Sequence, residues 1–188
     1  MTPSYQGRMR QMSDSRASPN SQLSTHPKKK PHPEKPMHTS EIGIPASISA
    51  EHDEIHGALV AATKEPGGVG AAARELAAIL HPHFVREEQI ALPPLSLLAP
   101  LARGEAVPAM RDVLPMTDSL RAELPRMLQE HVAIHAAAVR LGEIARAEGN
   151  VRVVRLAESL VLHAQSEEQV FYPAAVLVGD LVRARLSP

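Results

Sequence analysis

From residue 47 onward, apolar side chains recur at alternating steps of four and three, the spacing that keeps one stripe of a helix turned inward. The pattern predicts four helices. The first covers residues 47–64, opening after Pro45 with serines available as caps and closing at Pro66-Gly67-Gly68. The second covers residues 71–92 and ends at Pro93-Pro94, with an internal Pro82 that removes one backbone hydrogen bond and is expected to kink it. A Pro-punctuated connection with room for short helical pieces leads to a third helix over residues 118–148, with Pro125 in its early part. Gly149-Asn150 closes that helix and opens the fourth, which runs to about residue 171. There Tyr172-Pro173 bends or breaks it before a last apolar stretch ending near residue 185.

Residues 1–43 lack this periodicity, are rich in Ser and Pro, and include Lys28-Lys29-Lys30, so they are expected to form a disordered basic tail. The folded unit is then residues 44–188, an all-α antiparallel four-helix bundle. Composition agrees: Ala, Leu and Val abound, whereas the aromatic residues are only Tyr5, Phe84, Phe171 and Tyr172. Seven Lys or Arg against two acidic residues in the first 40 leave the remainder mildly acidic under a net charge of −1. With few stacking rings and no basic face outside the tail, nucleic acid is not an expected partner. No window is long and apolar enough for a membrane span or a secretory signal, so the expected compartment is the cytoplasm, with no membrane partner. Cysteine is absent, which excludes disulfides, thiolate metal sites and thiol nucleophiles, and leaves nitrogen and oxygen as the donors for any metal.

The helices repeat. Leu76, Leu80, His83, Glu87, Ile90 and Pro93 match Leu156, Leu160, His163, Glu167, Val170 and Pro173 at an offset of 80. Ile48, His52, Ile55, His56 and Leu59 match Met127, His131, Ile134, His135 and Ala138 at an offset of 79. Two helical hairpins therefore carry one pattern, and packed antiparallel they place equivalent residues about a pseudo-two-fold axis.

That repeat carries the chemistry. Residues four apart on a helix differ by about 40° in direction and about 6 Å in height, so His83 with Glu87, and His163 with Glu167, each project to one side. They fall within the apolar stripe, where carboxylates and imidazoles are costly unless paired or bound to a cation. His52 and His131, central in their own stripes, complete a six-residue metal set. His56 and His135 stand one turn further along, nearer the stripe edge, as candidates for a seventh ligand. Imidazole and carboxylate without sulfur suit iron best and also admit manganese or zinc. Two Glu from facing helices can each bridge two ions roughly 3.5–4 Å apart. Of the ten histidines, three lie in the tail and six at the repeated positions, which leaves His81 as a surface residue. Glu88, Gln89, Glu168 and Gln169 face solvent or orient a ligating His, and Phe84, Phe171 and Tyr172 are expected to pack the core or line a ligand pocket.

Glu51-His52, His83-x-x-x-Glu87-Glu88, Glu130-His131-x-x-x-His135 and His163-x-x-x-Glu167-Glu168 together resemble the hemerythrin-like, or HHE cation-binding, family over about residues 45–180. The resemblance implies a non-haem di-iron centre with an oxo or hydroxo bridge and two carboxylate bridges, meeting dioxygen, peroxide or nitric oxide. Its members include oxygen carriers, sensors, and nitrosative-stress and iron-handling proteins. Oxygen-carrying members place an Asp five residues after the last His, whereas Glu167 comes four after His163, like the stress-response branch. His52 matches the family's Glu-His start, while Asp53-Glu54-x-His56 resembles the first-helix motif of the oxygen carriers. The implied function is a di-iron protein that binds or reduces a small oxidant; if enzymatic, it is an oxidoreductase. The alternative is a non-catalytic iron or oxygen sensor, or an iron-handling protein, whose metal occupancy controls a partner interaction.

Overall fold

The computed structural model describes residues 42–187, and all regular structure there is helical. The basic stretch expected over residues 1–43 lies outside the described residues except for its last two. Helix α1 spans Ala46–Ala62 and α2 spans Gly67–Ile90. Two 3₁₀ segments, Pro93–Leu97 and Pro108–Val113, flank the short α3, Leu98–Ala102, in the long connection. Helix α4 runs over Leu114–Ala147 and α5 over Val151–Ser166. A π-helical turn, Glu167–Phe171, joins α5 to α6, Tyr172–Leu186. None of these helices is long and apolar enough to cross a membrane.

The four predicted helices are present, with shifted ends. No serine caps α1; Pro45 does so through its carbonyl, which accepts from the Ile48 and Ser49 amides at 2.9 and 3.0 Å. Helix α2 begins four residues early, inside the Gly-Gly pair read as a stop. Gly67 takes φ 69°, and a Cβ on Gly70 would stand 1.9 Å from the Glu65 carbonyl oxygen, so the α1–α2 turn closes only over glycine. Pro82 and Pro125 lie inside unbroken helices. The turn after α4 is as expected, with Gly149 at φ 71° and the Asn150 side chain accepting from the Val153 amide at 3.3 Å. Tyr172-Pro173 does not break the last helix. The π turn takes up the change, and Pro173 sits in the first turn of α6, where its missing N–H costs little.

Helix α1 packs between α2 and α5, and α4 packs between the same two, which closes a four-sided bundle. Ile55, Leu59, Leu76, Leu80, Phe84, Ile134, Leu141 and Leu160 fill one end. Ile48, Leu92, Leu95, Leu120, Met127, Tyr172 and Ala175 fill the other. Along every helix, the His and Glu positions fall between these two apolar layers. A third cluster, Leu97, Leu101, Met110, Val113, Val178 and Val182, seats the long connection on α6.

Helix α6 approaches α4 closely at Gly179, where a Cβ would stand 2.7 Å from the Cβ of buried Thr117. Gly179→Ala is therefore expected to destabilise the fold by about 1–3 kcal/mol, the usual cost of overpacking. Gly57, on the exposed side of α1, meets nothing within 4 Å, and Gly57→Ala is expected to stabilise by about 0.5–1 kcal/mol. Urea melts read both, and an unchanged midpoint for Gly179→Ala would contradict the seating of α6.

Candidate metal centre

Among the described residues, the buried polar or charged side chains are His52, His83, Glu87, Thr117, His131, His163 and Glu167. Thr117 satisfies itself on the Leu114 carbonyl at 3.1 Å. The other six form one layer across the bundle, contributed by α1, α2, α4, α5 and the start of the π turn.

The layer resolves into two donor sets, His52 with His163 and His83 with His131, each sharing Glu87 and Glu167, with donor atoms inside 4.8 Å of one another. The two carboxylates divide their oxygens between the sets. Glu87 turns Oε1 to His83 Nε2 at 3.2 Å and Oε2 toward His52 Nε2 at 3.9 Å. Glu167 turns Oε1 to His163 Nε2 at 3.0 Å and His52 Nε2 at 3.4 Å, and Oε2 to His131 Nε2 at 3.5 Å. A carboxylate so placed could be shared between two cations, were both donor sets filled.

The imidazoles are oriented from outside. His83 Nδ1–H donates to Glu130 at 2.9 Å, and His131 Nδ1–H donates to Glu168 at 2.9 Å. His163 Nδ1 faces Glu51 at 3.1 Å and His52 Nδ1 faces Glu88 at 3.5 Å, both without the alignment of a hydrogen bond. Each carboxylate comes from a neighbouring helix, so the four contacts run in a closed circuit, α1 to α5 to α4 to α2 and back to α1. Such partners fix which ring nitrogen faces a metal and raise its basicity.

With Nδ1 turned outward, the Nε2 lone pairs converge: His83 and His131 approach to 2.8 Å, and His52 and His163 to 3.1 Å. Two lone pairs at that separation require a proton or a metal ion between them. Glu87 Oε2, fully buried, has no hydrogen-bond partner among the described residues. The residues present therefore fit a pair of metal ions, and in their absence protons take part of the role. Burial opposes charge on His83, but hydrogen bonding and attraction from Glu87, aided by Glu130 and Glu167, prevail and raise it to about 8. His163, likewise desolvated, is raised to about 9 by Glu167, Glu87 and Glu51. Glu87 is held well below the usual carboxylate range: desolvation acts against its charge, but His131, His83 and Tyr172 outweigh it.

All six residues of the expected core set thus come together. His56 and His135, the candidates for a seventh ligand, do not join them. Both are exposed, because the buried stripe steps by three at this level, from His52 to Ile55 and from His131 to Ile134, and leaves the i+4 position facing out. His56 lies instead beside His81, with ring centroids 6.0 Å apart. Glu88 and Glu168 are the orienting carboxylates, partly exposed yet reaching a ring. Glu51 and Glu130 do the same, and their own offset of 79 in the repeat marks them. Tyr172, read as packing or pocket lining, brings its hydroxyl into the layer: it donates to Glu87 Oε1 and lies 3.1 Å from His131 Nε2 and 3.4 Å from His83 Nε2.

The family described as the hemerythrin HHE cation binding domain matches residues 48–175. No curated protein and no solved structure matches the chain.

The proton-holding pair makes the metal-free fold sensitive to pH. A His with a raised value stabilises the fold fully below its ordinary 6.5, and that contribution is lost as pH climbs through the folded value, here about 8 for His83 and about 9 for His163. Glu87 works in the opposite direction: its contribution is present above the ordinary 4.5 and is lost as pH falls through the lowered value. Circular-dichroism melts of metal-free protein are expected to show falling thermal stability from pH 6.5 to 9. A melting temperature that rises across that window would rule out protonated imidazoles in the layer.

Proposed function

Because the chain belongs to the hemerythrin HHE cation-binding domain family, we propose that the buried layer holds two irons and that the protein binds or reduces dioxygen, peroxide or nitric oxide. The observation that carries this reading is the division of Glu87 and Glu167, each with one oxygen turned to each pair of histidines. The donors are imidazole and carboxylate without sulfur, a set that favours iron over the softer alternatives. Two irons held there supply reversible one-electron chemistry and a coordination position for a small ligand.

The chain's own part is to hold, neutralise and enclose. Two carboxylates offset the cations inside a layer where water is excluded on both sides by Leu80, Phe84, Leu92, Met127 and Leu160. Glu130 and Glu168 keep the Nε2 atoms of His83 and His131 aimed inward, so this pair needs little rearrangement to accept a metal. A cavity of about 690 Å³ between α2 and α4 is lined by His83, Glu130, Arg126 and Glu123, and so lies beside the carboxylate that orients His83.

Anaerobic loading with ferrous iron, followed by metal analysis, is expected to give two irons per chain. Air, peroxide or nitric oxide should then change the visible spectrum. Glu87→Ala and Glu167→Ala are each expected to lose at least half of the bound iron, whereas His81→Ala, His56→Ala and His135→Ala should retain it. Iron in hundredfold excess over its dissociation constant should stabilise the fold by about 3 kcal/mol. Fewer than one metal per chain, or equal content in all five variants, sinks the assignment.

A further inference from the structure

The pseudo-two-fold relation between the hairpins is broken where it matters most. Tyr172 corresponds to Leu92 at the offset of 80, and both are buried next to the metal layer. Both follow a bridging Glu by five residues and donate their backbone N–H to its carbonyl, Leu92 to Glu87 at 2.9 Å and Tyr172 to Glu167. In an α-helix, residues five apart diverge by about 140°. A wide i→i+5 turn instead sets one nearly above the other, which returns the fifth side chain to the face of the Glu. One half of the molecule thereby presents an apolar side chain to the layer, and the other half a phenol.

The phenol oxygen keeps company with one donor set. It touches Glu87 Oε1 and lies 3.1 and 3.4 Å from the Nε2 atoms of His131 and His83. Ligands at right angles on one cation with bonds near 2.1 Å stand about 3 Å apart. The His83–His131 and His83–Glu87 separations, 2.8 and 3.2 Å, have that spacing, and the phenol oxygen shares it. Around His52 and His163 the surroundings are different. Phe84 stacks on His52 at 4.2 Å and meets His163 edge-on at 5.8 Å, while its counterpart in the repeat is Ala164.

We infer that Tyr172 is the seventh donor of the centre, serving the His83–His131 position alone. This rests on the di-iron reading above. As the ferric ion is bound, the phenol O–H breaks, a lone pair of the oxygen makes the bond to the metal, and the proton leaves to solvent, with no electron transferred. The position with two imidazoles, two shared carboxylates and the phenol oxygen is then the more saturated of the two.

The test is resonance Raman and visible spectroscopy of the ferric-loaded protein, with iron content measured on the same samples. The wild type is expected to show a phenolate-to-iron charge-transfer band with enhanced tyrosine ring modes. The chain has just two tyrosines. Tyr172→Phe should lose the band and modes while keeping both irons, and Tyr5→Phe should keep everything. Ring-deuterated tyrosine in the wild type, which shifts those modes, provides the same answer if Tyr172→Phe does not fold. Two irons without tyrosine modes, or modes that survive in Tyr172→Phe, overturn the inference alone; fewer than two irons overturns the di-iron reading and the inference with it.

Discussion

Four imidazole lone pairs and two carboxylates face one another in a buried layer, between apolar side chains on either side. Everything else in the bundle answers to that constraint. Buried charge is tolerated only when it is neutralised at close range. In the di-iron reading the neutralising species is a pair of cations; without them, the neighbouring carboxylates favour protons on His83 and His163. The apolar layers above and below exclude water, and so make the layer both costly when empty and strongly binding when filled. The outer carboxylates extend the same logic outward, since Glu130 and Glu168 keep Nδ1–H occupied and leave Nε2 free. Glu130 is itself held below the usual carboxylate range: burial opposes its charge, but His83 and Arg126 beside it prevail.

Much of this was legible in the sequence because the repeat made each observation twice. A single His on an apolar face carries little weight, but His83 and Glu87 reappearing as His163 and Glu167, in the same stripe and at the same spacing, specify a shared centre. What the sequence left open is equally physical. On a helix, a step of three falls short of a full turn by about 60° and a step of four overshoots by about 40°. Whether the i+4 residue points inward therefore depends on the local phase of the stripe. In α2, and from α5 into the π turn, that phase turns Glu87 and Glu167 in; in α1 and α4 it favours Ile55 and Ile134 and turns His56 and His135 out.

Tyr172 escaped for a related reason. Counted at 100° per residue, it belongs to a different face from Glu167, and only the wide turn over Glu167–Phe171 brings it back. Nothing in the composition of that segment announces a π turn; the offset of 80 from Leu92 is the one trace it leaves. The early start of α2 was hidden likewise, because Pro66-Gly67-Gly68 reads as a stop until the close approach of Gly70 to the Glu65 carbonyl is known.

Neither hairpin holds a complete donor set by itself: the first offers His52, His83 and Glu87, the second His131, His163 and Glu167. Two separate copies of one hairpin, related by a true two-fold axis, would supply the same six groups. In such an assembly every substitution would strike both donor sets at once, and the two would remain twins. The long connection from Pro93 to Val113 removes that restriction by tying the halves into a single chain. Phe84 can then differ from Ala164, and Tyr172 from Leu92, so the linker that looks like mere tethering is what allows one donor set to specialise while the other stays as it was.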